Sequence, residues 1–219
     1  FNTTVSMRSI PLRGFDRQCS EKIVEKMKES GTKFKQYLVP SKIKKNNDNK
    51  LVVTFVDVNT SEVKETEVYD TVLYATGRYP QTGNIGLKEI GVNVLENGKI
   101  DCNQEKTNID NIYAVGDVTG PPWLAHVSSS EGLYVVEHIA KLSPKKIDYD
   151  CVPACTYSKP EIGSIGFDQK ALDDKGINYK VAKSFFNANG RAVASGSTDG
   201  FIKILVSDEN LILGAHIIG

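Results

Sequence analysis

Two short stretches gather residues able to do chemistry. "ATGRYPQT" at 75–82 follows the apolar run Val72, Leu73, Tyr74 and presents Gly77 and Arg78, while "IYAVGDV" at 112–118 repeats the shape and presents Gly116 and Asp117. In each, an apolar strand stops at a glycine, which lacks Cβ and so permits close approach or a positive φ, and a charged side chain follows. On the residues alone two readings stay open for each: a ligand-facing pair, or a turn with an incidental arginine and an aspartate that caps the next turn. Arg8 and Ser9 end a third strand-like stretch, "TTVSMRS", with Arg13 just before Gly14; by themselves, two arginines around a turn read as solvated surface. The cysteines offer less. Cys151 and Cys155 in "CVPAC" would sit about 13 Å apart on a strand, beyond the roughly 7 Å between Cα atoms that a disulfide tolerates. His126, His138 and His216 supply no second ligand pair, so no metal site is predicted, and Cys19 and Cys102 are given no role.

Composition limits the rest. The chain has 219 residues, 27 Lys plus Arg against 27 Asp plus Glu, 40% apolar and 25% charged residues. That is the composition of an ordinary soluble protein with a sizeable core in one large or two modest domains. With no net charge there is no global field to hold nucleic acid or an anionic membrane. No apolar segment approaches the roughly 20 residues of a membrane span, and Phe1 to Ser9 lacks the form of a signal peptide. A cytoplasmic or mitochondrial-matrix location is predicted.

The elements that must position these residues follow from periodicity. "DRQCSEKIVEKMKESG" reads as a helix with Asp16 as N-cap, Gly31 past its end, and Cys19, Ile23, Val24 and Met27 on one face. "KFKQYLVP" reads as one strand, "KIKKNNDNK" as a solvated loop tip, and "KLVVTFVDV" with "VKETEVYD" as an antiparallel hairpin. "TVLYATG" is continuously apolar, as a strand covered on both faces must be. "LAHVSSSEGLYVVEHIAKL" reads as a helix with Leu124, Val127, Leu133, Val136 and Ile139 on one side, and Glu137 and His138 toward solvent. Beyond Cys151 come short strands at "CTYSKPEIGSIG", "YKVAKSFF", "GFIKILVSD" and "LILGAHIIG", with a brief helix near "QKALDDKG".

Taken in order, "MRSIPLRGFD", "VLYATGRYPQT" and "TNIDNIYAVGDVTG" resemble landmarks of the FAD-dependent pyridine nucleotide-disulfide oxidoreductases, the family of glutathione reductase, thioredoxin reductase and dihydrolipoamide dehydrogenase. Residues 1 to about 118 resemble the large thioredoxin and glutathione reductases most, whereas "WLAHVSSSEG", "TYSKPEIGSIG" and "NANGRAVASG" resemble dihydrolipoamide dehydrogenase. The resemblance implies an α/β plus α+β fold: a Rossmann-like NAD(P)H-domain portion at 1–80, a central FAD-domain segment at 81–150, and part of an antiparallel-sheet interface domain at 151–219 through which two subunits pair as a homodimer.

Roles follow from that resemblance. Arg8, Ser9 and Arg13 would lie where the strand end approaches the adenosine ribose, and arginine there accommodates a 2′-phosphate, which favours NADPH over NADH. Gly77 would let backbone approach the dinucleotide and Arg78 would reach it. Asp117 would accept a hydrogen bond from the FAD ribityl chain, with Gly116 clearing room beside it. Leu124, Ala125 and His126 start a helix whose free N–H groups would face the pyrimidine side of the flavin. The family's G-x-G-x-x-G fingerprint, its redox-active cysteine pair and its catalytic His–Glu pair do not occur in these 219 residues, so no catalytic residue is assigned and the chain reads as a fragment. Its parent is expected to be an NADPH-dependent flavoenzyme of thioredoxin or glutathione reductase type, passing hydride from NADPH to FAD and on to a disulfide. The alternatives are an NADH-dependent dihydrolipoamide dehydrogenase and a non-catalytic nucleotide-binding and dimerisation module.

Overall fold

The strand predicted at "TTVSMRS" forms as β1 (Thr4–Met7), passes through a turn into α1 (Arg17–Glu29), and returns as β2 (Lys33–Gln36), parallel to β1 with Val5 opposite Phe34. Asp16 caps α1 as its position predicts, accepting a hydrogen bond from the Cys19 backbone N–H at 3.2 Å, which satisfies a donor that the helix itself cannot. Gly31, at φ 91°, lies past the other end. Cys19 and Ile23 are buried, and Met27 packs beside them.

The single strand predicted at "KFKQYLVP" is two. Tyr37 takes a left-handed φ of 60°, which ends β2 and starts β3 (Leu38–Lys45). The predicted loop tip shrinks to a turn at 46–49, because the backbone of Lys42–Lys45 pairs with β4 (Leu51–Asp57) while its lysine side chains reach water. β4 and β5 (Val63–Tyr69) make the predicted hairpin, giving a three-stranded antiparallel sheet in the order β3-β4-β5. The buried strand predicted at "TVLYATG" is absent. Residues 71–80 have no regular structure, and Leu73 is 87% exposed. A parallel strand needs a hydrogen-bonding neighbour on its flank, and the only parallel pair is β1-β2, with no third strand added to it.

The computed structural model describes residues 1–219 and divides into two units: Phe1–Tyr74 together with Pro153–Gly219, and Ala75–Val152. In the first unit the chain resumes as β8 (Ala154–Thr156), β9 (Ile162–Gly166), α3 (Gln169–Lys175), β10 (Lys180–Phe185), α4 (Gly190–Ser195), β11 (Phe201–Val206) and β12 (Ile212–Ile218), the numbers β6 and β7 belonging to the second unit below. The predicted strands close into one antiparallel sheet ordered β10-β11-β12-β9-β8. α1 lies against it, so that Cys19 and Ile23 share a core with Ile162, Phe201 and Ile218.

In the second unit, β6 (Cys102–Asn103) and β7 (Lys106–Thr107) form a minimal hairpin. The strand predicted at "IYAVGDV" reduces to one bridge, Tyr113 to Lys106, with Ala114 buried, after which Gly116–Val118 makes a 3₁₀ turn. α2 (Ala125–Ile139) follows, but of the apolar face predicted along it only Val127 is buried. Val127, Glu131 and Val135 are buried, while Leu133, Val136 and Ile139 are exposed. The residues at i, i+4 and i+8 define that stripe, and an acid stands in its middle.

Candidate cofactor-binding site

The turn after Ala114 is built from three contacts. Gly116 takes φ 79°, a conformation that glycine adopts without strain, and a Cβ there would stand 2.9 Å from Ser128 Oγ and 3.3 Å from Ser128 Cβ. The missing side chain therefore lets the turn pack on α2. The Gly116 N–H donates to Glu131 Oε2 at 2.6 Å, tying the turn to the middle of that helix. Thr119 closes it, with both its N–H and its hydroxyl donating to the Gly116 carbonyl at 2.9 Å.

Asp117 stands on this anchored turn with its side chain exposed and makes no ion pair or side-chain hydrogen bond. Leu124 is the N-cap of α2 and makes no side-chain cap, and the first turn holds no acidic residue, so neither of these offsets its partial positive end. A free carboxylate acceptor beside a small residue, with helix N–H donors that favour negative charge, suits a polyhydroxyl linker joined to a ring that gains negative charge on reduction. The residues present fit a flavin. Ala125 and His126 lie in the first turn of α2, and Gly77 and Arg78 belong to the same unit, exposed, in an irregular segment with Gly77 at φ 119°.

The other predicted residues lie in the first unit. Arg8, Ser9 and Arg13 occupy the turn between β1 and α1, both arginines are exposed, and neither makes an ion pair or a side-chain hydrogen bond. Their guanidinium groups are thus available to an anion. The four cysteines are free, and no helix is long and apolar enough to cross a membrane.

Sequence reasoning missed two clusters. Glu131, 5% exposed, accepts from Tyr149 Oη at 2.9 Å through Oε1, and the same hydroxyl lies 3.0 Å from Oε1 of Glu105, which is 8% exposed. Burial pushes the Glu105 carboxyl above its ordinary range, and the Glu131 charge adds to this against the pull of the Tyr149 hydroxyl. Burial and hydrogen bonds to both glutamates also push the Tyr149 hydroxyl up. The second cluster is the ion pair of Lys203 on β11 with Asp16, both nearly inaccessible, with Gln169 Oε1 accepting from the ammonium at 2.9 Å. The signal for each was present in the sequence: Glu131 at helical spacing between Val127 and Val135, and Lys203 at strand spacing between Phe201 and Leu205.

A βαβ unit, a glycine turn leading into a helix, and an antiparallel sheet of five strands make up a mixed α/β and α+β architecture. The chain belongs to the pyridine nucleotide-disulphide oxidoreductase family: the family model matches residues 2–132, and the model of its dimerisation domain matches residues 152–219. It is 38% identical over 208 residues to dihydrolipoyl dehydrogenase, mitochondrial, of Cricetulus griseus and of Homo sapiens, and 37% identical to that of Mus musculus. These alignments cover 94% of this chain and 40% of each relative, so both halves of the chain are matched and it spans less than half of the relatives' length. LpdA of Mycobacterium tuberculosis superposes with a TM-score of 0.88 at 21% identity over 99% of this chain and 46% of that one, which shows the shared fold.

Proposed function

We propose that the chain is the part of a flavin-dependent oxidoreductase that holds FAD and a pyridine nucleotide and serves electron exchange with a dithiol–disulfide couple. The observation that carries this is Asp117, an exposed and unpartnered carboxylate on a turn that Glu131 ties to α2 and that packs close to Ser128. Asp117 would accept from a ribityl hydroxyl, and Gly116 would keep the backbone close. Leu124, Ala125 and His126 would turn the helix start toward the pyrimidine edge, where aligned N–H groups favour negative charge. Gly77 with Arg78, and Arg8 with Ser9 and Arg13, would contact the nucleotides. A bound flavin would supply two-electron transfer between the pyridine nucleotide and the sulfur pair.

The reading divides the chain into a nucleotide-domain portion at 1–80, a flavin segment at 81–150 and a pairing domain at 151–219, the last supported by the dimerisation-domain match and implying a homodimer. The 38% identity to dihydrolipoyl dehydrogenases across both halves favours a dihydrolipoyl-type dithiol, in a mitochondrial matrix or cytoplasm, as the substrate class. A specific observation supports a second reading, NADPH with a thioredoxin- or glutathione-type disulfide: Arg8 and Arg13 are both exposed and unpaired on one turn. The test of the primary reading is flavin content. Intact protein should purify with about one flavin per chain, and Asp117→Ala should release it at least tenfold more readily, as expected for a lost hydrogen bond to a charged group. Intact protein that binds no flavin, or an Asp117→Ala variant with unchanged affinity, overturns it.

A further inference from the structure

Hydrogen-bond accounting around Tyr149 leaves a proton to be placed. Its hydroxyl lies 3.0 Å from Glu105 Oε1 and 2.9 Å from Glu131 Oε1, yet it has one proton to donate. If both carboxyls were ionised, one of those short contacts would set lone pair against lone pair in a buried place, a costly arrangement. No lysine, arginine or histidine pairs with either glutamate, so no cation neutralises the two charges. Among the neighbouring titratable groups, Lys106, next to Glu105, pairs with Asp110 at 2.9 Å. Cys102 on β6, with Asp101 beside it, has its thiol pushed up, first by burial; Asp148 and Asp150 flank Tyr149 on its own turn, and Asp117 flanks Gly116. Glu131 already accepts two donors, the Gly116 N–H and the Tyr149 hydroxyl, and suits the anion. The Glu105 carboxyl accepts no other hydrogen bond and suits the neutral acid.

We propose that Glu105, Tyr149 and Glu131 hold one proton beyond the tyrosine's own, arranged as Glu105 carboxyl to Tyr149 oxygen and Tyr149 hydroxyl to Glu131 carboxylate. Glu131 is thereby the positioning residue of the Gly116–Asp117 turn. Its anionic oxygen holds the Gly116 N–H, and the proton on Glu105 lets Tyr149 point its own proton at Glu131. Removing the Glu105 proton makes two carboxylates compete for one hydroxyl, and the turn loosens. The sign follows from a carboxyl raised in the folded state: the hold on Gly116 persists while Glu105 keeps its proton and is lost as pH rises through the raised value. The consequence for a flavin rests on the reading above, but the shared proton does not.

The experiment is carboxyl NMR on intact protein with ¹³C-labelled glutamate side chains, together with amide hydrogen exchange at Gly116. One glutamate carboxyl is expected to stay protonated well above the ordinary range, and its signal to vanish in Glu105→Gln. Exchange at Gly116, corrected for intrinsic base catalysis, is expected to accelerate several-fold as that carboxyl ionises in the native protein, and to stay flat in Glu105→Gln, whose amide still donates to Tyr149. Glu131→Gln should raise Gly116 exchange about tenfold. If that variant does not fold, Tyr149→Phe, on an exposed turn residue, should abolish the pH dependence instead. Ordinary ionisation of every glutamate, or the same pH profile in Glu105→Gln and native protein, overturns the proposal. Since neither readout requires flavin, a flavin-free protein with the protonated carboxyl refutes the cofactor reading and supports this one.

Discussion

Lys203 shows how a single side chain binds a helix to a sheet. Alternation along β11 turns Phe201, Lys203 and Leu205 inward, opposite His216 on β12. A lone ammonium there would be untenable, and Asp16, at the start of α1, supplies its counter-charge. Burial alone would raise the Asp16 carboxyl, but the Lys203 hydrogen bond and charge, with the Cys19 N–H and the charge of His216, hold it below its ordinary range. The neighbouring Cys19 thiol is pushed up to about 12, first by burial and then by Asp16, so it is an inert packing group. Lys203→Met should cost about 3–5 kcal/mol in urea unfolding because it strands a buried carboxylate, whereas Asp16→Asn combined with Lys203→Met should recover most of the loss. Because the Asp16 carboxyl is lowered on folding, the native protein's contribution from this pair is complete above the ordinary aspartate range and disappears as pH falls through the lowered value. A single variant as stable as the native protein would contradict the account.

At the scale of elements, the β1–α1 turn is the place where nucleotide choice would be made. Arg8 and Arg13 flank it with free guanidinium groups, and a planar fork matches phosphate oxygens. Replacing both with Ala should raise KM for NADPH at least tenfold while leaving KM for NADH nearly unchanged; equal effects on both, in steady-state kinetics, would assign the turn no part in phosphate recognition. The turn, the α1 cap and the C-terminal strands were legible because each rests on a local signal: Asp16 before the apolar stripe, or alternation in "FIKIL". The strand predicted at 71–77 was not, because an apolar run specifies a strand only where a neighbour exists to accept its hydrogen bonds. The inward face of α2 was misread for a related reason. Leu133, Val136 and Ile139 satisfy helical spacing as well as Val127 and Val135 do, and the anchoring of Glu131 to Gly116 and Tyr149, a tertiary fact, decides between the faces.

At the scale of the whole molecule, two units carry two halves of one proposed chemistry, nucleotide recognition at the β1–α1 turn and flavin attachment at Gly116–Asp117. The Gly-Asp pair could be read from the sequence as chemistry-bearing, and spacing marks Glu131 as an inward residue, but its bond to Gly116, 15 positions away, exists only on folding. The most direct measurement is a crystal structure of the intact protein grown with FAD. The account predicts an Asp117 carboxylate oxygen within about 2.5–3.0 Å of a ribityl hydroxyl and the start of α2 facing the pyrimidine edge; flavin bound in a site that leaves Asp117 in solvent would contradict it.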